Sequence, residues 1–353
     1  MARLAAAKAA AMLVSRPEDV SYLSGFSGED SYLLLAGPHS CLITDGRYGE
    51  QARVECRGLG VLVRSGSLTD ALKDTLRPVG RRPLALQADH VTMRMHEVLQ
   101  KALAPRRLAA VTGITTDLRL VKDDMEVAAI RRSIAVAQDA FRWLRGQGRQ
   151  WFVGRTERQV AAALDHRMRE LGASKPSFET IVAAGANSSR PHYRPGDVRI
   201  ERDSVVLIDW GAMVGGYCSD LTRVVFTGRI PPRLGQMYEV VSKAQASGMA
   251  AIAGGKALKA ADLAAREVIV AAGMGPLFVH SLGHGIGREI HEAPALSSKA
   301  AGRLRAGMVV TVEPGVYEPG LGGIRIEDDV LVTSRGCQRL SSLSTRLHDM
   351  ILR

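Results

Sequence analysis

The sequence is short of aromatic residues, of paired cysteines and of long apolar runs. Aromatics are 5% of 353 residues, little material for stacking nucleic-acid bases. The arginines are scattered, so the net charge of +11 speaks to solubility and an anionic substrate environment, and no nucleic-acid partner is expected. Cys41, Cys56, Cys218 and Cys337 lie far apart with no CxxC pair. That excludes a zinc ribbon and a disulfide framework and leaves reduced thiols. No apolar run reaches the roughly 18 residues that span a bilayer, so no membrane partner is expected. The Ala-rich stretch Met1 to Val14 carries Arg3 and Lys8. Lys8 interrupts it and no cleavage site precedes Arg16-Pro17-Glu18-Asp19, so it reads as a first helix running into a strand, in a cytoplasmic protein.

What the chain does have is globular: 46% hydrophobic and 24% charged residues, at a length that suits about two domains. The runs Ser31 to Ala36 and Ser40 to Thr44 flank Gly37-Pro38, a hairpin signal. A helix from Arg47, a strand at Gly60 to Arg64, a helix through Leu72 and a strand at Pro83 to Gln87 complete a small α/β domain ending near residue 120. The polar segment Thr115 to Asp124 lacks a helical period and reads as a linker.

Beyond it, Val127, Ile130, Ile134, Ala137, Phe141 and Leu144 recur at spacings of three and four, the buried stripe of a helix. Thr156 with Gln159 is a capping box for a second helix, with Val160, Leu164, Met168 and Leu171 as its stripe and Gly172 as its stop. Strands are expected at Phe178 to Ala184, Ser204 to Asp209 and Gly216 to Thr227. The order then recurs: helices at about Leu234 to Ala253 and Ala261 to Ala272, then strands near Phe278, at Met308 to Glu313 and at Gly323 to Val332. Two helices followed by strands, twice, suggests an internal duplication; two unrelated α/β stretches would read the same way.

A turn centred on Val214-Gly215 pairs Asp209 directly with Asp220, on one face and about 5 Å apart at Cβ. Buried beside Val206, Ile208 and Leu221, two carboxylates repel each other and pay a desolvation cost unless a cation lies between them. Glu313 and Glu327 come from a second pair of strands and point the same way. One strand-end acid is usually solvated; two such pairs ask for cationic charge. His280, His284 and His291 fall within twelve residues, among Gly283, Gly285 and Gly287. The glycines argue for a loop that brings backbone close to a ligand, not for a helical histidine pair. His192 sits between Pro191 and Pro195 in a loop able to aim an imidazole. Oxygen-rich ligation with one imidazole suits Mn, Co, Fe or Zn, and two ions together make a hydrolytic site.

These motifs resemble the creatinase, prolidase and aminopeptidase P group of metallopeptidases, family M24. They are Ile208-Asp-Trp-Gly-Ala212, Tyr217-Cys-Ser-Asp-Leu-Thr-Arg223, His280-Ser-Leu-Gly-His-Gly-Ile-Gly287, His291-Glu-Ala-Pro294, Thr311-Val-Glu-Pro-Gly315 and Gly323-Ile-Arg-Ile-Glu-Asp328. Phe178 to Val182, Pro191-His-Tyr193, Tyr22 to Gly28 and Asp45 to Gln51 extend the resemblance over nearly the whole chain. It implies an α+β fold: a creatinase-like α/β domain over residues 1–120 and a pita-bread domain of pseudo-twofold symmetry over 121–353.

The resemblance also implies two divalent ions per subunit, Mn first, Co or Zn as alternatives. Asp209 would hold one ion, His284 and Glu313 the other, and Asp220 and Glu327 both. Glu313 would take the proton of the attacking water. His192 and His291 would meet the substrate or oxyanion, and His280 and Phe178 the substrate, with Arg325 orienting carboxylates. Thr222 and Tyr217 would line the metal shell. The implied partners are small peptides with proline second and a second copy of the chain. The leading expectation is an Xaa-Pro aminopeptidase, with Xaa-Pro dipeptidase as the alternative. A methionine aminopeptidase and a catalytically inactive binding protein are further alternatives.

Overall fold

The computed structural model describes residues 8–353. Most of the expected first helix lies outside them. Its continuation, Ala11–Val14, is strand β1, buried throughout.

The chain divides into two compact units between Leu118 and Arg119. In the first, β1 lies inside a six-stranded sheet with β2 (Tyr32–Leu35), β3 (Cys41–Asp45), β4 (Gly60–Arg64), β5 (Leu84–Gln87) and β6 (Leu108–Val111), in the order β4-β3-β2-β1-β5-β6. The Gly37-Pro38 hairpin forms as expected, Leu34 pairing with Cys41. Apolar clusters cover both faces. One centres on Leu34, Leu72 and Leu86, the other on Met12, Phe26 and Leu42. The polar stretch read as a linker instead begins with a helix, Ile114–Arg119. Tertiary contact overrides its missing period: Thr115 Oγ1 donates to buried Asp19 at 2.6 Å.

The second unit opens with the long helix Asp124–Gly146, whose start is a capping box of Asp123 and Glu126 that the sequence reading missed. The expected Thr156/Gln159 box starts helix Glu157–Glu170. Next come β7 (Lys175–Pro176), β8 (Ile181–Ala184), β9 (Val205–Trp210), β10 (Ala212–Val214), β11 (Tyr217–Cys218) and β12 (Leu221–Phe226). Helices Pro232–Ala250 and Leu258–Ala271 open the second half. It continues with β13 (Gly283–Gly285), β14 (Glu292–Leu296), β15 (Val309–Val312), β16 (Gly315–Glu318), β17 (Gly322–Arg325), β18 (Asp328–Val332) and β19 (Cys337–Arg339). Two helices then a sheet, twice, is the pseudo-symmetric order read from the sequence. No strand forms at Phe278; Gly275–Leu277 is a 3-10 turn, and the strand comes later, at His284. One apolar core fills the second half and reaches Val205 and Leu207, while a separate core packs the first two helices on the other face of β9. Among the described residues, no helix is long and apolar enough to cross a membrane.

Candidate active site

The expected turn centre at Val214-Gly215 is off by one residue. Gly215 and Gly216 both have positive φ, 59° and 77°, the backbone of a two-residue hairpin turn that only glycine-like residues adopt easily. The register therefore pairs Val214 with Tyr217 and Asp209 with Thr222. Asp209 does not sit directly opposite Asp220. A shift of two residues keeps side chains on the same face, so Asp220 remains a diagonal neighbour of Asp209.

Interrupted strands set the other ligands. Asp220 lies in the gap between β11 and β12, Glu313 between β15 and β16, and Glu327 between β17 and β18. The register that pairs Val312 with Asp328 and Gly315 with Arg325 puts Glu313 opposite Glu327 across the gap. The two halves meet where Glu327 N donates to Thr222 O at 3.2 Å. A single row thus crosses four chain segments: Asp209, Thr222, Glu327, Glu313. His284 enters from β13, at a register shift between His284 and Gly285, an irregularity of the kind that re-aims side chains beside active sites. Its neighbour Gly283 permits the approach, since a Cβ there would lie 2.1 Å from Thr311 O.

The resulting cavity, of about 660 Å³, is lined by every residue the sequence singled out as ligand, catalytic or substrate-binding. Asp220, His284 and Glu327 bring ligand atoms within 4.8 Å of one another. His284 Nδ1 lies 3.0 Å from Gly285 O. That oxygen only accepts, so Nδ1 carries the hydrogen and Nε2 offers a lone pair. Nε2 lies 3.5 Å from Asp220 Oδ2 and 3.4 Å from Glu313 Oε1. Burial pulls the His284 pKa down to about 4, so at neutral pH a lone pair faces the carboxyl oxygens of Asp220 and Glu313.

The acids are as strained electrostatically. Burial, then Glu327 and Asp209, hold the Asp220 pKa well above the usual carboxylate range. Burial, then Glu313 and Asp209, do the same to Glu327. Glu313 is pushed up to about 8, chiefly by burial. Asp209 Oδ1 and Glu327 Oε1 are buried without a hydrogen-bond partner. Buried acceptors left unpaired are costly. Divalent cations fit this donor set: four carboxylates, one imidazole and unused inward-facing oxygens.

The other oxygens of Asp209 and Glu327 are organised by Arg325, 3% exposed. Its Nη2 donates to Asp209 Oδ2 at 2.5 Å and its Nε to Thr222 Oγ1 at 3.0 Å. Thr222 Oγ1 in turn donates to Glu327 Oε2 at 2.6 Å. Arg325 Nη1 donates to Tyr317 OH at 2.8 Å. His280 Nδ1 faces the Ser281 carbonyl at 2.8 Å, so Tyr317 OH donates to His280 Nε2 at 2.9 Å. Tyr317 is a residue the sequence reading missed, because it lies in a stretch read as turn. Its strand alternation, Gly315-Val-Tyr-Glu318, was the available signal. His291 packs edge-on to His284 at 4.4 Å between ring centroids; His192 and Phe178 face the cavity from loops.

One expectation changes, and one residue is added. Tyr217 is not beside the carboxylates; it donates to Glu126 at 3.0 Å, under Arg288. Glu292, given no role from sequence, lines the cavity and is bonded to Arg119 and Lys122, the latter at 3.2 Å.

Comparison with known proteins identifies the family and the fold. The model of metallopeptidase family M24 matches residues 128–334, and that of the creatinase/prolidase N-terminal domain residues 1–121. An Xaa-Pro dipeptidase of Pyrococcus furiosus is 34% identical, covering 95% of this chain and 94% of its own. The solved structure of an Xaa-Pro dipeptidase from Bacillus anthracis superposes with a TM-score of 0.94 at 34% identity, over 99% of this chain and 97% of that one. An X-Pro aminopeptidase structure from Thermotoga maritima gives 0.90 at 36% identity, with 97% of each chain covered. Sequence, fold and neighbours converge: the chain belongs to metallopeptidase family M24.

Proposed function

We propose that this chain is a dinuclear-metal exopeptidase that hydrolyses Xaa-Pro bonds and acts as an Xaa-Pro dipeptidase. The convergence of Asp209, Asp220, His284, Glu313 and Glu327, with buried oxygens on Asp209 and Glu327 left unpaired, carries the metal part of the reading. The names of the Pyrococcus and Bacillus relatives support the substrate part. They favour dipeptidase over the aminopeptidase reading that the sequence put first. The Thermotoga structure keeps aminopeptidase as the second reading.

In this reading residues 121–353 form the catalytic domain and residues 1–120 the N-terminal domain. Asp209, Asp220, His284, Glu313 and Glu327 would hold the ions. Divalent ions held there, Mn first and Co or Zn next, would supply Lewis acidity and a water acidic enough to act near neutral pH. Glu313 accepts the proton that the attacking water gives up. His192 and His291 donate to the oxygen on which negative charge develops, the role of an oxyanion hole. Arg325 holds Asp209 in place and, through Thr222, Glu327. Through Tyr317 it fixes the His280 ring against the substrate pocket. The reading includes a homodimer acting in the cytoplasm on small peptides.

The test is a peptide panel with the chain loaded with Mn, Co or Zn. Cleavage of Ala-Pro with Arg-Pro-Pro-type peptides left intact supports the dipeptidase. Release of the first residue from the longer peptides favours the aminopeptidase. An inactive binding protein would retain no metal and cleave neither.

A further inference from the structure

The cavity is rich in acids, and its cations are few. Among the described residues lining it, guanidinium or ammonium groups come from Arg325 and Arg194 alone. Arg325 is spent: Asp209, Thr222, Tyr317 and the Pro191 carbonyl take all three of its nitrogens. The acid Glu292 is likewise committed to Arg119 and Lys122. What remains is a pair at the mouth. Arg194 Nε lies 3.4 Å from Glu179 Oε2, with side chains 85% and 66% exposed. An ion pair so open to water is weak and readily exchanged.

Arg194 is nonetheless well placed. It follows His192 by two residues, in a loop held between Pro191 and Pro195. Tyr193, between them, anchors that loop through its hydroxyl, which donates to Glu157 at 2.7 Å and accepts from Asn187 at 2.9 Å. Glu157 is fully buried. The arginine's backbone is thus fixed while its guanidinium is free to change partners. A dipeptide differs from a longer peptide in one respect that such a group can read. Its terminal carboxylate lies one residue beyond the scissile bond, while a longer peptide has a neutral amide there.

We infer that Arg194 releases Glu179 and binds the C-terminal carboxylate of a dipeptide, so that it reads substrate length. This rests on the Xaa-Pro reading above. A planar fork of donors suits a carboxylate, and such charge-assisted bonds are strong and geometrically selective.

The test compares the metal-loaded enzyme on Ala-Pro and on Ala-Pro amide, which differ only in the terminal charge. The unsubstituted enzyme should prefer the free acid. In Arg194→Ala the ratio of kcat/KM for acid over amide should fall about tenfold, through KM for the acid, as expected for a lost hydrogen bond to a charged group. Arg194→Lys should restore part of the ratio by returning the charge. A merely damaged fold lowers both substrates together and leaves the ratio alone. An unchanged ratio in Arg194→Ala, with Xaa-Pro cleavage intact, overturns the inference and leaves the proposed function standing. Failure of the unsubstituted enzyme on both substrates overturns the two together.

Discussion

Thr222 and Glu327 join the two halves of the second unit by two hydrogen bonds, one of backbone and one of side chain. Glu327 N donates to Thr222 O at 3.2 Å, and Thr222 Oγ1 donates to Glu327 Oε2 at 2.6 Å. The hydroxyl also accepts from Arg325 Nε at 3.0 Å. Thr222→Val keeps the shape and removes both side-chain bonds. It should cost about 1–3 kcal/mol, the penalty for stranding buried polar groups, and lower metal affinity about 10–100-fold, the scale of outer-shell effects. Thr222→Ser should recover most of both. Urea unfolding and metal titration measure the two quantities.

Removing a ligand should do more. Asp220→Ala and Glu327→Ala should each lose bound metal and lower kcat/KM by more than about 100-fold, beyond an outer-shell effect. Elemental analysis and Ala-Pro hydrolysis check this; full turnover in either variant rejects their assignment as metal ligands. His192→Ala should instead keep its metal and lower kcat by about 10²–10³, the cost of one oxyanion donor.

The seam is secured elsewhere by Arg223 and Asp328, 2.7 Å apart with both side chains fully buried. Arg223 also donates to the carbonyls of Thr222 and Glu327, so it ties the backbones of the two halves. Arg223→Met removes the fully buried ion-pair partner of Asp328, leaving it Ser341, Gln245 and the more distant Arg339, and should destabilise the chain by about 3–5 kcal/mol. Denaturant midpoints at constant m report it, and a loss under about 1 kcal/mol would contradict the role.

Glu292 gives a pH signature. Burial raises its pKa, but Lys122 and Arg119 outweigh burial and hold it below 4.5. A carboxylate with a lowered folded pKa contributes stability that is complete above the unfolded value and lost as pH falls through the folded one. Stability should therefore drop on acidification below about pH 4.5, at constant metal. Glu292→Gln should lack this component and be less stable at neutral pH, where Lys122 is left buried without its counter-charge. An identical acid limb in both proteins would refute it.

The sequence was most informative where chemistry and periodicity agree. The Thr156/Gln159 box, the apolar stripe of the long helix and the converging acids could be read because each depends on residue type at fixed spacing. The hairpin register could not be read to the residue. Two glycines in a row, Gly215 and Gly216, decide the turn, and a centre one residue away satisfies the same alternation. The helix at Ile114–Arg119 was hidden because Asp19, distant in sequence, holds Thr115 in place. Glu292 was hidden for the same reason: its partners Arg119 and Lys122 come from a distant segment, and no local pattern announces them. Tyr317 was hidden differently, in a short strand whose alternation is masked by the glycines and prolines around it.

The row Asp209, Thr222, Glu327, Glu313 has a consequence for assembly. With Asp220 beside the row, each half contributes two of the site's four acids, so neither half alone owns a complete binding cup. Docking the halves gathers negative charge at the very seam that joins them. Divalent ions held there would act as mortar as well as reagent, and a protein stripped of them should be loosest where its two repeats touch.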